Sequence, residues 1–335
     1  MKLFRILDPF TLTLVTVVLL ASFFPARGAF VPFVEGLTTA AIALLFFMHG
    51  AKLSREAIIA GGSHWRLHLW VICSTFVVFP ILGVLFARWA PIDVDPALYS
   101  GFLYLCILPA TVQSAIAFTS MAGGNVAAAV CSASASSLLG IFVSPVLVGL
   151  LMRLHGAEAS LAQVGKIMLQ LLLPFVLGHL SRPWIGNWVA RNKKWIGKTD
   201  QASILLVVYS AFSEAVVNGI WHKVGAGSLL FIVGVSCILL AIVIAINVFV
   251  ARRFGFNKAD EITIVFCGSK KSLANGIPMA NILFPTSMIG MMVLPLMIFH
   301  QIQLMVCAVL ARRYKRQTEA LQAEARDADS REAKA

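Results

Sequence analysis

Charge is scarce in this sequence. Only 13% of its 335 residues are Asp, Glu, Lys or Arg, where a soluble domain carries roughly a quarter. Acids are the scarcer sign, 15 against 27 Lys and Arg. Such a chain cannot clothe a water-facing surface, which excludes an ordinary globular enzyme and a disordered protein. Paired cysteines are missing as well: Cys73, Cys106, Cys131, Cys237, Cys267 and Cys307 all lie in apolar stretches, with no CxxC spacing and no clustering with histidine. No disulfide scaffold or metal site is written there, and the six read as buried thiols. The GxxxxGK[ST] phosphate loop and the GxSxG elbow are also absent, so the chain carries no nucleotide-driven motor and no standard serine-hydrolase signature.

What fills the chain is apolar: 59% of residues are hydrophobic, and the mean hydropathy is +0.87. A bilayer crossing takes about 20 such residues, so about ten crossings fit. Candidate spans fall near 10–25, 32–50, 67–88, 97–121, 126–152, 162–181, 201–219, 228–250, 260–283 and 288–311. The expected fold is therefore an all-α membrane protein. Its first span, after Lys2 and Arg5, lacks a small-x-small cleavage site and is expected to stay attached. A pI near 9.8 could point to nucleic acid, but the basic residues sit in short loops, where they report membrane orientation instead. Arg27, Arg88, Arg153, Lys166 and Lys223 fall on one side. Seventeen fall on the other: Lys2, Arg5 and fifteen more concentrated at Lys52–Arg66, Arg182–Lys198, Arg252–Lys258 and Arg312–Arg316. That bias predicts a multi-pass protein of the plasma membrane, the inner membrane in a bacterium, with both termini cytoplasmic. Trp184–Lys198 alternates tryptophan with basic residues and is expected to lie in the headgroup layer. Residues 317–335 form a polar cytoplasmic tail.

The most informative feature is a pairing between the two halves. In the fourth span the run Cys106–Ser114 (CILPATVQS) interrupts an apolar stretch, and in the ninth Ile264–Ser272 (IVFCGSKKS) does the same. Each combines a helix breaker with hydroxyls and an amide or ammoniums. Backbone groups freed in lipid must find partners in protein or a wet cavity, so such breaks mark sites. Transporters built from inverted repeats place their binding sites at paired interruptions of this kind.

These paired breaks, the turn Ala122–Asn125 (AGGN), the hydroxyl-rich fifth span (AAAVCSASASS) and Thr75–Pro80 (TFVVFP) resemble the bile acid:sodium symporter family. The resemblance covers about residues 8–312 and is most specific at Gln113–Asn125 and Gly268–Pro278. It implies two inverted five-helix repeats, 1–155 and 156–316, with discontinuous fourth and ninth helices crossing near the midplane. It also implies a panel of spans 1, 2, 6 and 7 that moves against a core of the others, carrying an organic anion with sodium. The chain departs from the family pattern: Ala110 and Thr111 replace a Gly-Gly pair, Phe266 and Lys270 align with the sodium-binding Glu and Gln, and Thr75 aligns with a common Gln. This pattern resembles the family's orphan branch, in which the sodium ligands of the ninth helix are not retained.

Candidate substrate and ion ligands are Thr75, Thr111, Gln113, Ser114, Asn125, Ser132, Ser136, Ser269, Lys270, Lys271, Ser272, Asn275, His300 and Gln301. A lysine near the bilayer centre costs about 3 kcal/mol or more, so Lys270 and Lys271 need a cavity or partners. Being adjacent, they point about 100° apart on a helix and share a site only if the backbone unwinds. Lys270 is the preferred stand-in for the family's sodium, supplying its charge directly or gating by losing a proton. No carboxylate falls at the breaks, so no cage for a hard cation can be built from side chains. The expected function is secondary transport of a small organic anion, with sodium, a proton or the lysine itself as the coupling charge, and with no cofactor, no resident metal and no nucleic-acid partner. Oligomeric state is not encoded legibly. Two other classes compete: an intramembrane hydrolase with Ser269 or Ser272 as nucleophile and a lysine as base, and a regulatory protein on a transporter fold.

Overall fold

The computed structural model describes residues 9–52, 64–88, 96–152, 161–217, 219 and 225–332. Its elements are α1 (Pro9–Phe23), α2 (Phe30–Lys52), α3 (Trp65–Cys73), a π-helical turn (Ser74–Val78), α4 (Phe79–Arg88), α5 (Pro96–Ile107) and α6 (Gln113–Met121). Then come α7 (Val126–Leu151), α8 (Leu161–Arg191), α9 (Lys193–Val217), α10 (Ala226–Arg253), α11 (Lys258–Gly268), α12 (Leu273–Leu283) and α13 (Thr286–Glu332). No strand occurs among the described residues. Helix is what a chain of apolar runs must adopt in lipid, because it satisfies each backbone N–H and C=O within the segment. Six helical stretches are long and apolar enough to cross a membrane: Phe30–Lys52, Trp65–Phe86, Val126–Leu151, Lys194–Val217, Gly227–Arg253 and Ser287–Thr318. Leu12–Phe23 and Pro96–Ile107 are shorter apolar helices. The expected boundary at 155/156, and Lys2, Arg5, Arg55, Arg153 and Lys223 among the orienting charges, lie outside the described residues.

The distribution of side chains is that of a protein solvated by lipid. Leu19, Phe33, Leu69, Ile81, Leu150, Leu180, Leu230, Phe249 and Val309 are exposed, while Ser74, Thr75, Ser132, Ser136, Ser144, Asn247, Lys270, Lys271 and Gln303 are buried. Apolar faces meet hydrocarbon outside and polar groups pair inside, as expected where helix association relies on packing and hydrogen bonds.

Helices α1, α2, α8 and α9 pack on one another: α2 runs along α8, and α9 packs on both α1 and α2. Lys52 of α2 pairs with Asp200 of α9. The remaining helices gather around α5, α11 and α13. Trp184 and Trp195 are exposed as expected of interfacial residues, but Trp184–Lys198 is no separate surface helix: α8 continues to Arg191 and α9 starts at Lys193. The polar tail prolongs α13 to Glu332.

Two glycines set the α2–α8 approach. A Cβ on Gly50 would overlap the carbonyl of Phe175, and one on Gly178 would overlap that of Phe47. Backbone stands against backbone at both points, so neither neighbour can yield by changing a rotamer. Gly178→Ala is expected to lower stability by about 1–3 kcal/mol, read as a lower melting temperature of the detergent-purified protein; an unchanged melting temperature contradicts this packing.

Candidate functional site

The site begins with a carbonyl accounting problem. Pro109 has no N–H and disfavours helix in the residue before it, so α5 ends at Ile107 and α6 resumes only at Gln113. Two carbonyls in the last turn of α5 find partners nearby: that of Leu105 accepts from Leu108 N (3.4 Å) and that of Ile107 from Ser144 Oγ (2.8 Å). The carbonyl of Pro109 accepts from the backbone N–H of Ser272 (2.9 Å), which joins the break at 108–112 to the one at 269–272. Ala110 N donates to Ser136 Oγ (3.0 Å). The carbonyls of Cys106 and Leu108 are left for a group from outside the helix.

That group is Lys271. Its Nζ donates to the carbonyls of Cys106 (2.8 Å), Leu108 (2.7 Å) and Thr75 (2.8 Å). The Thr75 carbonyl is free for a local reason. In the π-helical turn Phe79 N bonds to Ser74 O rather than to Thr75 O, and the next residue, Pro80, has no N–H to offer. Three protons thus meet three carbonyls, the full donor capacity of an ammonium, and the Phe79 ring lies 4.1 Å from Nζ. The backbone of Lys271 is clamped from α13: Gln303 Oε1 accepts from Lys271 N and Gln303 Nε2 donates to Lys271 O, both at 2.9 Å. Gln303 Nε2 also lies 2.8 Å from Nδ1 of the buried His300.

Lys270 turns the other way. Its Nζ donates to the carbonyl of Ser114 at 2.9 Å and lies 4.0 Å from the Phe118 ring centroid and 5.4 Å from that of Phe266. Both lysines are fully buried, and no ion pair found among the described residues includes either. No cluster of His, Cys, Asp and Glu able to hold a metal occurs among those residues.

The other expected site residues divide. Ser114 Oγ donates to Thr111 Oγ1 (2.9 Å), and Gln113 is exposed at the start of α6, whose N-cap Val112 offers no side-chain acceptor. Ser272 caps α12 by accepting from Asn275 N, and Asn275 Nδ2 donates to Ser137 Oγ (2.9 Å). Ser269 Oγ donates back to Val265 O. Thr75 enters through its carbonyl, its hydroxyl being spent on Val71 O. Ser132 is drawn to His68 Nδ1 (2.7 Å), and Gln301 is half-buried beside the fully buried Gln303. Asn125 sits apart, at the N-cap of α7, where its Nδ2 donates to Asp260 at the start of α11. At the same end Glu261 accepts from Arg252, Lys258 and Tyr314.

Among residues absent from the expected set, Gln303 carries the largest role, and a signal for it existed. His300 and Gln303 are spaced i, i+3 and share a helix face, whereas Gln301 is rotated about 100° away. Ser74, Ser144 and Asn247 also contribute. Ser74 donates to Gly268 O (2.8 Å), and Asn247 bridges Trp70 and Ser74.

With this geometry in hand, comparisons with known proteins are informative. A family described as "SBF-like CPA transporter family (DUF4137)" matches residues 8–316. The chain is 89% identical over 324 residues, 97% of its length and 98% of the relative's, to an Escherichia coli (strain K12) protein named "Putative symporter YfeH". It is 58% identical over 325 residues, again 97% and 98%, to the Pseudomonas aeruginosa protein PA2026, whose name assigns no activity. It is 30% identical over 278 residues, 82% of each chain, to sodium/bile acid cotransporter 7 of Rattus norvegicus.

The Gln303 clamp is directly testable. Gln303→Leu removes both partners of the Lys271 peptide group from a dry interior and is expected to cost at least about 2 kcal/mol. The midpoint of thermal or chemical unfolding in detergent reads the loss, and a wild-type midpoint contradicts the clamp.

Proposed function

The chain belongs to the SBF-like CPA transporter family and is a secondary transporter embedded in the membrane; on that premise we propose that it carries a small organic anion by alternating access without sodium, the ammonium of Lys271 standing in for a coupling cation. The observation that carries this reading is the triple carbonyl coordination of Lys271 Nζ. Carbonyls from α5, the following break and the third-span π turn converge as they would on a dehydrated monovalent ion, and the charge among them is covalently tethered.

Two further points support an anionic substrate. Lys270 and Lys271 put positive charge beside the breaks with no carboxylate in an ion pair with either among the described residues. The first N–H groups of α6 emerge there without a side-chain cap, next to the exposed Gln113, and an uncapped helix N-terminus favours negative charge. A sodium ion about 4 Å from an ammonium would meet repulsion of about 4 kcal/mol at an effective dielectric of about 20. That is about the whole binding free energy of a millimolar ion site.

The architecture we propose is ten spans in two inverted five-helix repeats, 1–155 and 156–316, with the fourth and ninth helices crossing at their breaks. A panel of α1, α2, α8 and α9 faces a core of the rest, and both termini and the tail 317–335 are cytoplasmic. The mutual packing of α1, α2, α8 and α9 supports this division. So does the knot where the end of α6 and the start of α11 meet α13: Asn125 donates to Asp260, Tyr314 donates to Glu261 and Thr318 donates to Ala122 O. An intramembrane hydrolase has less support. Ser269 and Ser272 are committed to backbone partners, and both lysine Nζ atoms donate to carbonyls rather than standing beside a serine as a base.

The experiment is binding and uptake of a panel of organic anions, taurocholate among them, by the purified full chain, with sodium exchanged for potassium or choline at constant ionic strength. Affinity is expected to change by less than about twofold across cations, and Lys271→Gln is expected to lose at least about tenfold or to become sodium-responsive. A tenfold loss on removing sodium from the unmodified protein overturns the reading.

A further inference from the structure

Lys270 and Lys271 are adjacent and equally buried, yet their ammoniums are held differently. Lys271 Nζ meets as many carbonyls as it has protons. A neutral amine keeps two N–H groups, so deprotonating Lys271 would orphan a backbone carbonyl in a dry interior. Lys270 Nζ has one carbonyl partner, Ser114 O, and otherwise faces the rings of Phe118 and Phe266. A neutral amine there still satisfies Ser114, and an aromatic face holds no acceptor that is left wanting. The titratable groups that act on Lys270 are Cys267 on α11 and Cys307 and His300 on α13; Lys271 follows it in the chain but sends its ammonium to α5. From α6 come only the Ser114 carbonyl and the Phe118 ring. None of these is a carboxylate that would pin the charge.

We propose that Lys270 is the proton site of this transporter: its ammonium releases a proton to water on the side to which the site is open and regains one on the other, while Lys271 keeps its charge throughout. The proposal rests on the reading of Lys271 as the tethered cation and adds the coupling ion to it. Release leaves a neutral amine on Lys270 and a hydronium in water, so charge and protons balance with no other reactant. The positive charge of the site then alternates between two values, and an anion is held more tightly when Lys270 is protonated.

The test needs no transported solute. Full-length protein carrying 15Nζ-lysine, in bilayers of phosphatidylethanolamine and phosphatidylglycerol, is titrated from about pH 5 to about pH 10 and followed by solid-state NMR. Dipolar contact with 13C-carbonyl serine identifies Lys270 through Ser114 O, and contact with 13C-carbonyl cysteine identifies Lys271 through Cys106 O. The serine-coupled nitrogen is expected to pass from the ammonium to the amine shift, and that signal to vanish in Lys270→Arg. The cysteine-coupled nitrogen is expected to remain an ammonium to the highest pH. A serine-coupled nitrogen that stays ammonium throughout, or a cysteine-coupled one that titrates, overturns the proposal. Assignment by carbonyl labels serves even if the arginine variant fails to fold. Since no anion is present, failure here is distinct from failure of the sodium-independent transport reading.

Discussion

A backbone carbonyl stripped of its helical partner has no water to turn to inside a bilayer, and the rest of this site depends on how that debt is met. Pro109 and the 269–272 break free carbonyls and amides at one place. Their partners come from α7 (Ser136, Ser144), α13 (Gln303), the break of the other half (Ser272 N) and one ammonium (Lys271). The π-helical turn adds the carbonyl of Thr75. A single side chain therefore bonds the third span to the last turn of α5 and the start of its break, and removing it would strand three acceptors at once.

That arrangement has an electrostatic consequence. A cation that is part of the chain cannot dissociate, so the energy that an exchangeable ion's gradient would supply must enter elsewhere. Lys270 lies on the opposite side of the same unwound segment with one oxygen acceptor instead of three, which makes it the natural place for an exchangeable charge. Phe266 T-stacks on Tyr314, whose hydroxyl bonds Glu261, so the ring beside Lys270 is continuous with the contact between the start of α11 and α13.

Much of this was legible in the residues, for identifiable reasons. Pro109 and Gly268, each beside hydroxyls in an apolar run, announce interruptions because lipid tolerates them only where protein supplies partners. The adjacent lysines announce burial with compensation because nothing else permits them there. The division of roles between the two was not legible. Both would project at fixed angles from a regular helix, and only the unwound backbone sends Lys271 Nζ to α5 and Lys270 Nζ to α6. Thr75 read as a candidate ligand, but that it acts through its carbonyl was not legible, since a π turn just before Pro80 depends on tertiary packing that no local propensity encodes. The fifth-span serines Ser132 and Ser136 read as candidate ligands. Ser136 and Ser144 bond the broken backbone, while Ser132 is drawn to His68.

The most direct test of the central claim is where a heavy monovalent cation goes. A crystal structure of the unmodified chain grown with thallium, examined by anomalous difference density, should show no thallium among the carbonyls of Thr75, Cys106 and Leu108, with side-chain density of Lys271 reaching that point without a gap. A thallium peak coordinated by those carbonyls, with Lys271 turned away, would show that the position belongs to an exchangeable ion and that the tethered cation is not what holds the broken helices together.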